Sequence, residues 1–361
     1  MDLGTIQDVF THEGPFVSVH IDVSRDTEDA RQQVDARWTT IRHQLEHESV
    51  DKTLVDEIGE RVHEQTSVPG EVRRTLVGAK GEIVFDDVRA GHCIWPEGTN
   101  TGLLPDLSGW LRQVDGQVPF LLVRADREGA SMDFYHGTSR PDPEHRETHG
   151  ETLHITKVPE GDWAQKQYQQ RSENVWKRNA EEVAEVIGSA SAEHRPAVVI
   201  LAGDPRARTD IFTALEGHPL DIVQVEAGGR AAGSSEEALW REVEKVLATV
   251  EAHEEREVVD RLLQDTGRQE GAARGLQDVL DALVRGQVDR LVLDLDAARE
   301  MTVNPKDHPG LTLPEPAASA DELRADEVLV AAGAATDARL SLLPRELTKG
   351  AGVAALLRWQ E

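Results

Sequence analysis

The longest uninterrupted apolar stretches of this chain are only long enough for a strand or a short helix. They lie near residues 197–203 and 328–335, whereas a membrane-spanning helix needs about 20 apolar residues. We therefore expect no membrane segment, and two or three domains of ordinary size, each with its own core, in the 361 residues. The chain begins without a basic, apolar leader, and its single cysteine, Cys93, cannot form an internal disulfide. These features favour a cytoplasmic protein.

Apolar periodicity predicts three domains. The first, residues 1–116, is a small α+β domain with a strand at 16–22, a helix that carries Val34, Trp38, Ile41 and Leu45 on one face, and a hairpin around residues 75–88. The second, residues 117–262, and the third, residues 263–361, alternate strands with helices, an order that favours α/β sheets flanked by helices.

Several local predictions within the second and third domains are specific enough to be tested. In the second domain, residues 118–124 and 197–202 are predicted strands, residues 138–150 a polar loop, and residues 164–187 a long helix. In the third domain, one helix ends at Gly286, another begins near Ala320, and residues 328–332 form a strand.

The charge of the chain argues against general nucleic-acid binding, with one local exception. Acidic residues outnumber basic ones 67 to 39, for a formal net charge of −28. An acidic surface usually serves solubility, and sequence-independent binding to nucleic acid needs clusters of Lys and Arg. Between Thr156 and Asn179, however, there are five basic residues and three acidic ones. A local patch can act despite the global sign, because salt screens charges beyond about 8 Å.

The basic segment contains the strongest candidate binding surface. Gln167, Arg171, Asn174 and Arg178 are spaced by four, three and four residues, which places them on one helix face. Arg and Asn contact phosphate and sugar, and Trp163 in the loop before the helix can stack on an RNA base. The candidate RNA-binding residues are Gly161, Asp162, Trp163, Gln165, Lys166, Gln167, Arg171, Asn174, Lys177 and Arg178. The alternative is a solvated helix face with a half-buried tryptophan.

A glycine-rich segment at residues 228–233 is a second, weaker candidate. It follows a predicted strand and precedes a helix, where backbone amides can bind phosphate. It matches neither the dinucleotide-binding pattern nor the P-loop. A tight turn is the simpler interpretation, with Arg230 as the candidate anion contact.

Patterns for metal binding and catalysis are weak. His43 and His47 share a helix face, but no third ligand is indicated. Asp126, Asp204 and Glu226 lie near strand ends, where carboxylates can hold Mg²⁺. Asp126 belongs to a turn pattern, however, and Asp204 precedes a proline, so both have backbone roles available. We predict no metal, no cofactor and no catalytic residue.

Five segments carry a family resemblance. They are residues 104–107 (LPDL), 118–130 (VPFLLVRADREGA), 171–180 (RSENVWKRNA), 202–208 (AGDPRAR) and 226–231 (EAGGRA). In this order they resemble family two of the bacterial proteins related to archaeal and eukaryotic release factors, a group common in actinobacteria and related to Pelota and to the hibernation factor Balon. The resemblance implies a release-factor-like multidomain protein, with an RNase-H-like middle domain and a C-terminal domain similar to kink-turn-binding ribosomal proteins.

The resemblance also implies a place in the ribosomal A site, without the reaction of a release factor. In release factors the middle domain carries a Gly-Gly-Gln loop that reaches the peptidyl-transferase centre. Here Gly161, Asp162 and Trp163 fall where that loop is expected, and Tyr168 falls on the aromatic residue that follows. The water-positioning Gln is therefore missing, and such an oriented group contributes orders of magnitude to a rate. Gln165 is the nearest substitute, and the first domain shows no Asn-Ile-Lys-Ser stop-codon motif.

The resulting functional prediction is a non-catalytic, monomeric factor that occupies the A site of the 70S ribosome in hibernation or stress. Its partners would be ribosomal RNA and elongation factor Tu or a related GTPase. The alternative is a hydrolase that cleaves peptidyl-tRNA or tRNA ends on stalled ribosomes. A third class, an RNA-independent stress protein or scaffold, is supported only by the even acidity.

Overall fold

The chain forms two compact units. The computed structural model describes residues 1–25, 29–66, 70–91, 95–126, 129–135, 137, 144–149, 162–227, 236–268 and 271–359. Unit 1 combines Met1–Gln117 with Glu254–Glu361, and unit 2 is Val118–His253. The predicted boundary after residue 262 falls inside one continuous helix, α6 (Glu236–Arg268). This helix extends past the boundary because Val258 and Leu262 are buried in a cluster with residues of the C-terminal segment.

The N-terminal segment of unit 1 is a four-stranded antiparallel sheet covered by two helices. Its elements after a 3-10 helix at Leu3–Thr11 are β1 (Phe16–Asp22), α1 (Ala30–His47), α2 (Lys52–His63), β2 (Val72–Ala79), β3 (Glu82–Ala90), β4 (Gly98–Gly102) and α3 (Ser108–Val114). The strand order is β3-β2-β1-β4. The predicted hairpin is confirmed: β2 and β3 pair around Lys80 and Gly81, both with positive φ, as a tight hairpin turn requires.

The C-terminal segment of unit 1 has its own mixed sheet. Its elements after α6 are β10 (Ala272–Arg274), α7 (Leu276–Val284), β11 (Val288–Leu293), α8 (Leu295–Arg299), β12 (Thr302–Val303), β13 (Leu323–Arg324), α9 (Ala325–Ala335), β14 (Arg339–Leu342) and β15 (Val353–Leu357), with 3-10 helices at Pro305–Asp307 and Ala317–Ser319. The four-stranded sheet has the order β10-β15-β11-β14, and only β11 and β14 run parallel. Gly286, with φ of 66°, follows the end of α7 as predicted.

One strand prediction in this segment is wrong. Residues 328–332 lie inside α9 rather than in a strand, and the helix expected from Ala320 begins at Ala325. Every residue from Ala325 to Ala334 is buried, so the helix shows no polar face and none of the 3.6-residue periodicity that would identify it. A fully buried helix and a fully buried strand have the same apolar sequence pattern.

The two segments of unit 1 share a hydrophobic core. It combines Leu3, Phe16 and Trp110 with Leu291 and Leu329, among others. The N-terminal amine donates a hydrogen bond to the carbonyl of Leu340 at 2.9 Å. The N-terminal and C-terminal segments of unit 1 are therefore packed against each other through this core.

Unit 2 is built on a five-stranded sheet with helices on both faces. Its elements are β5 (Phe120–Ala125), β6 (Gly129–Tyr135), β7 (Glu144–His149), α4 (Asp162–His194), β8 (Val198–Gly203), α5 (Pro205–Ala214), β9 (Ile222–Gln224) and the first half of α6. The order is β7-β6-β5-β8-β9, antiparallel across β5, β6 and β7 and parallel across β5, β8 and β9. Alternate residues of β5 face opposite layers: Leu121 packs in the core of α4 and α5, and Phe120 in the core of α6.

This topology confirms the α/β multidomain class and agrees with the RNase-H-like middle domain that the resemblance implies. The predicted loop at 138–150 is partly wrong, because Glu144–His149 forms the edge strand β7. Because this segment is charged and polar, its sequence has no pattern typical of a strand, and its strand conformation follows from backbone pairing with β6. Within the described part of the chain, every helix is too short or too polar to span a membrane.

Candidate RNA-binding surface

The predicted RNA-binding residues from Asp162 to Arg178 lie in the first half of α4. The helix begins at Asp162, two residues before the predicted start, so Asp162 and Trp163 belong to its first turn rather than to a loop. Gly161 and Arg230 lie outside the described residues, as do the side chains of Trp163, Gln165, Lys166, Gln167, Arg171 and Asn174. The structure therefore describes the side chains of only Lys177 and Arg178 from the predicted set.

Lys177 and Arg178 lie on the exposed face of α4. On the opposite face, Val183 and Ile187 are buried against the sheet. One turn further along the exposed face the charge changes sign, because Glu181, Glu182 and Glu185 follow. The positive end of this face is therefore the end nearest the start of the helix, where the predicted stripe lies.

A groove of about 670 Å³ separates α4 from α5 beside these residues. Its walls are Trp176, Lys177, Glu181, Arg206, Thr209, Asp210, Thr213 and Ala214. Trp176 is half-buried there, which places an aromatic ring within a charged groove. Its two cations and two carboxylates balance, so the groove by itself is not a strong phosphate site.

Two of the three carboxylates that were candidates for Mg²⁺, Asp126 and Asp204, bond to backbone amides in a turn and a helix cap, and the third, Glu226, is exposed. Asp204 caps α5, since its carboxylate accepts hydrogen bonds from the amides of Arg206 at 2.9 Å and Ala207 at 3.1 Å. Asp126 accepts from the amide of Gly129 at 3.0 Å in the turn between β5 and β6. Across the residues with described positions, no group of three or more metal-ligating side chains comes together. The backbone interpretation of Asp126 and Asp204 is therefore the better one.

The histidine pair on α1 also has a simpler explanation. His43 is exposed, and its Nδ1 lies 3.7 Å from the Glu46 carboxylate, as is common for a histidine on a helix surface. His47 is exposed on the same helix. Cys93 lies outside the described residues.

Sequence reasoning missed a buried charge cluster in unit 1. It consists of Asp106, Arg299, Arg324, Asp326 and Glu327, which we call the buried charge cluster. Arg324 donates to both carboxylate oxygens of Asp326, at 3.1 and 2.5 Å, and to Asp106 at 3.1 Å. Arg299 donates to the same oxygen of Asp106 at 2.9 Å. The only sign of the cluster in the sequence is that Arg324, Asp326 and Glu327 directly precede an apolar run, with Arg299 further upstream.

The cluster joins the two segments of unit 1. Asp106 comes from the loop before α3, whereas both arginines come from the C-terminal segment. Burial by itself would raise the pKa of Asp106, but Arg324 and Arg299 outweigh it and hold that pKa at about 2. Ser108 adds a bond from its hydroxyl to Asp326 at 3.0 Å.

The family model for bacterial archaeo-eukaryotic release factor family 2 matches residues 119–268. This match confirms the resemblance recognised from the sequence over those residues, which include the candidate RNA-binding surface. Two curated relatives, MT2704 and Rv2629 of Mycobacterium tuberculosis strains CDC 1551 and H37Rv, are each 27% identical over 96% of this chain and 94% of their own length. Both are described as uncharacterised. The relation to Balon stays a prediction.

Solved structures with a similar fold include proteins of the Pelota group. A model of ribosome-bound archaeal Pelota and ABCE1 gives a TM-score of 0.42 at 14% identity, covering 99% of this chain and 94% of that one. Saccharomyces cerevisiae Dom34 gives 0.41 at 11% identity, covering 100% and 93%. Archaeoglobus fulgidus Pelota gives 0.32 at 17% identity, covering 94% and 95%.

Proposed function

We propose that this chain, whose residues 119–268 carry the release-factor family two signature, binds the 70S ribosome in the A site without cleaving peptidyl-tRNA. The observation that carries the proposal is the family match across the middle domain. The exposed cations Lys177 and Arg178 supply phosphate-binding groups on the helix that follows the predicted tip. In this proposal Gly161, Asp162 and Trp163 form a blunt tip.

The proposed setting is an idle ribosome during hibernation or stress. The factor acts as a cytoplasmic monomer that fills the vacant A site, and a GTPase of the elongation factor Tu type delivers it. An acidic protein can bind there, because binding by shape and a few phosphate contacts does not need a positive net charge.

Cosedimentation with 70S ribosomes from starved cells tests the binding itself. We expect the protein in the 70S peak, with more of it bound when GTP-loaded elongation factor Tu is added. Protein that stays at the top of the gradient contradicts ribosome binding. Equal occupancy with and without the GTPase would contradict only the delivery step.

Reversing the charge of Lys177 and Arg178 tests the proposed surface. We expect K177E/R178E to weaken 70S binding by at least about tenfold and to lower the slope of log affinity against log salt by about 2, since each lost phosphate contact removes about one unit. Both side chains are exposed, so the core is untouched. Binding is measured by pelleting at several salt concentrations.

The matched control is R241E/K245E. Both residues are exposed on α6, whose buried face packs on the other side of the sheet. This double variant makes the same charge change in the same domain. If it weakens ribosome binding as much as K177E/R178E, the effect is general repulsion, and the surface on α4 is wrongly assigned.

A peptide-release assay tests the absence of catalysis. We expect purified protein to release no peptide above background from ribosomes that carry peptidyl-tRNA, because no Gly-Gly-Gln motif is present in the sequence. Release that is abolished by Q165A would assign the hydrolase function instead.

A further inference from the structure

The charges of the buried charge cluster do not balance when every group is ionised. Asp106, Asp326 and Glu327 supply three carboxylates, whereas Arg299 and Arg324 supply two guanidinium groups. Asp106 and Asp326 are 3% and 1% exposed, and Glu327 is 8% exposed. An uncompensated charge at such a site is expensive, so one carboxyl group has reason to carry a proton.

Glu327 is the carboxyl group with the weakest support for its ionised form. Asp106 accepts bonds from both arginines and from the amide of Ser108 at 3.0 Å. Asp326 accepts two bonds from Arg324 and one from the Ser108 hydroxyl.

By contrast, Glu327 accepts one long bond, from the side-chain Nδ2 of Asn100 at 3.4 Å. Nη1 of Arg324 lies 3.1 Å from its Oε1 as an ion pair, whereas the hydrogen bond of that nitrogen goes to Asp106.

We propose that Glu327 is a pH-sensitive latch between the two segments of unit 1. When Glu327 is protonated, the buried charge cluster is neutral. In this state β4 and the loop before α3 pack tightly against α9. Ionised, it adds an unbalanced negative charge at this junction and weakens the packing. Asn100 on β4 is the group that Glu327 contacts across the junction.

The groups that face Glu327 favour its protonated form. Burial, together with the neighbouring Asp326 and Asp106, raises the pKa of Glu327 to about 7, because Arg324 and Arg299 only partly offset the rise. Asp326 lies in the same helix as Glu327, and Arg324 is the residue directly before that helix. Arg299 ends α8, and Asp106 comes from the loop before α3. Asn100, on β4, carries no charge.

A buried histidine behind Asp106 responds in the opposite direction. Burial lowers the pKa of His20, so it is neutral in the folded chain. Its Nε2–H donates to the carbonyl of Asp106 at 3.1 Å, and its Nδ1 accepts from the Thr75 hydroxyl at 3.1 Å. Its contribution to stability is present above the ordinary histidine pKa and is lost as the pH falls. The latch must therefore be isolated by changing Glu327 alone.

The sign for Glu327 follows from its raised pKa. Its stabilising contribution is fully present below the ordinary value of 4.5 and is lost as the pH rises through about 7. Between pH 5 and pH 8 the opening equilibrium constant attributable to this group should rise on the order of 50-fold.

The test compares the full-length chain with E327Q, a neutral variant of nearly the same shape. Hydrogen exchange of peptides from α9 and β4 is measured at pH 5, 6, 7 and 8, and opening constants are expressed as the ratio of wild type to E327Q at each pH. This ratio removes the intrinsic pH dependence of exchange and the contribution of His20. We expect the ratio to rise on the order of 50-fold across the range.

The control is E322Q, at an exposed acidic residue five positions earlier. We expect its ratio to wild type to be constant with pH. The latch is overturned if the ratio of opening constants between wild type and E327Q is constant with pH. It is also overturned if the ratio between wild type and E322Q changes with pH by the same amount. Calorimetry of the full chain provides a second readout, in which the unfolding temperature of the wild type must fall relative to that of E327Q as the pH rises from 5 to 8.

Discussion

Replacement of Gly203 with alanine is expected to destabilise unit 2 by about 3–5 kcal/mol, a large part of the stability of an ordinary domain. Gly203 ends β8 with φ of 108°, and a Cβ built on it would lie 2.0 Å from the carbonyl oxygen of Ala125. That oxygen is backbone and accepts the amide of Asp204 at 2.9 Å. No side chain can move aside, so relief of the clash must separate β5 from β8.

The measurement is calorimetry of the full chain together with hydrogen exchange of peptides from β5 and β8. G217A is the matched control, because Gly217 also has a positive φ of 96° but has no atom within 4 Å of a built Cβ. We expect this control to cost only about 1–2 kcal/mol, the price of the backbone conformation alone. Equal losses in the two variants would mean that β5 and β8 tolerate separation.

Gly203 also illustrates how much of unit 2 can be predicted from the sequence. Residues 118–124 and 197–202 were recognised as strands because continuous apolar runs bounded by turn residues have few other interpretations. The Gly203-Asp204-Pro205 segment was recognised as part of a family pattern. In the structure, glycine is needed at this position because the ends of β5 and β8 approach closely, and Asp204 caps α5. The close approach depends on the pairing of Ala125 with Gly203, which the local sequence does not encode.

Elements were mispredicted where tertiary contacts override local pattern. Residues 328–332 of α9 form an apolar run that is also typical of a buried strand, and burial of every residue from Ala325 to Ala334 leaves no polar face to mark the helix. β7 is polar and contains charged residues, and its strand conformation depends on pairing with β6. In both cases the information lies in residues far away in the sequence.

RNA binding by α4 stays a prediction, and only the exposed and buried positions of the described part of this helix can be compared with the sequence. Helical spacing correctly predicts that Arg178 is exposed while Val183 and Ile187 are buried. The buried charge cluster was not predicted, because Asp106 is separated by more than 190 residues from Arg299 and Arg324. Charged residues distant in sequence suggest solvent exposure until the fold brings them together.

Replacement of Arg324 with methionine is expected to destabilise unit 1 by about 3–5 kcal/mol at neutral pH, because removing one partner leaves buried charges uncompensated. Arg324 contacts all three carboxyl groups of the buried charge cluster. Without it, Arg299 alone faces Asp106, Asp326 and Glu327. Methionine keeps much of the side-chain volume, so the expected loss is electrostatic rather than a cavity effect. Urea unfolding of the full chain, followed by tryptophan fluorescence and by hydrogen exchange in α9, measures it.

The pH dependence separates this electrostatic loss from a packing defect. In the wild type the pKa of Asp106 is about 2, below its ordinary value of 3.8, so its stabilising contribution is present above 3.8 and is lost as the pH falls through about 2. In R324M the carboxyl groups without a partner take up protons at higher pH. The difference in unfolding free energy between wild type and R324M should therefore shrink as the pH falls from 7 to 4.

The matched control is R345M, because Arg345 is exposed in the same unit and its structural bonds are made by backbone atoms. We expect this variant to change the unfolding free energy by no more than about 0.5 kcal/mol at any pH. A loss in R324M that equals the control, or one that stays the same from pH 7 to pH 4, would contradict a stabilising role for the arginine. A loss that shrinks with acid would mean that the two segments of unit 1 are held together by charge as well as by their shared core.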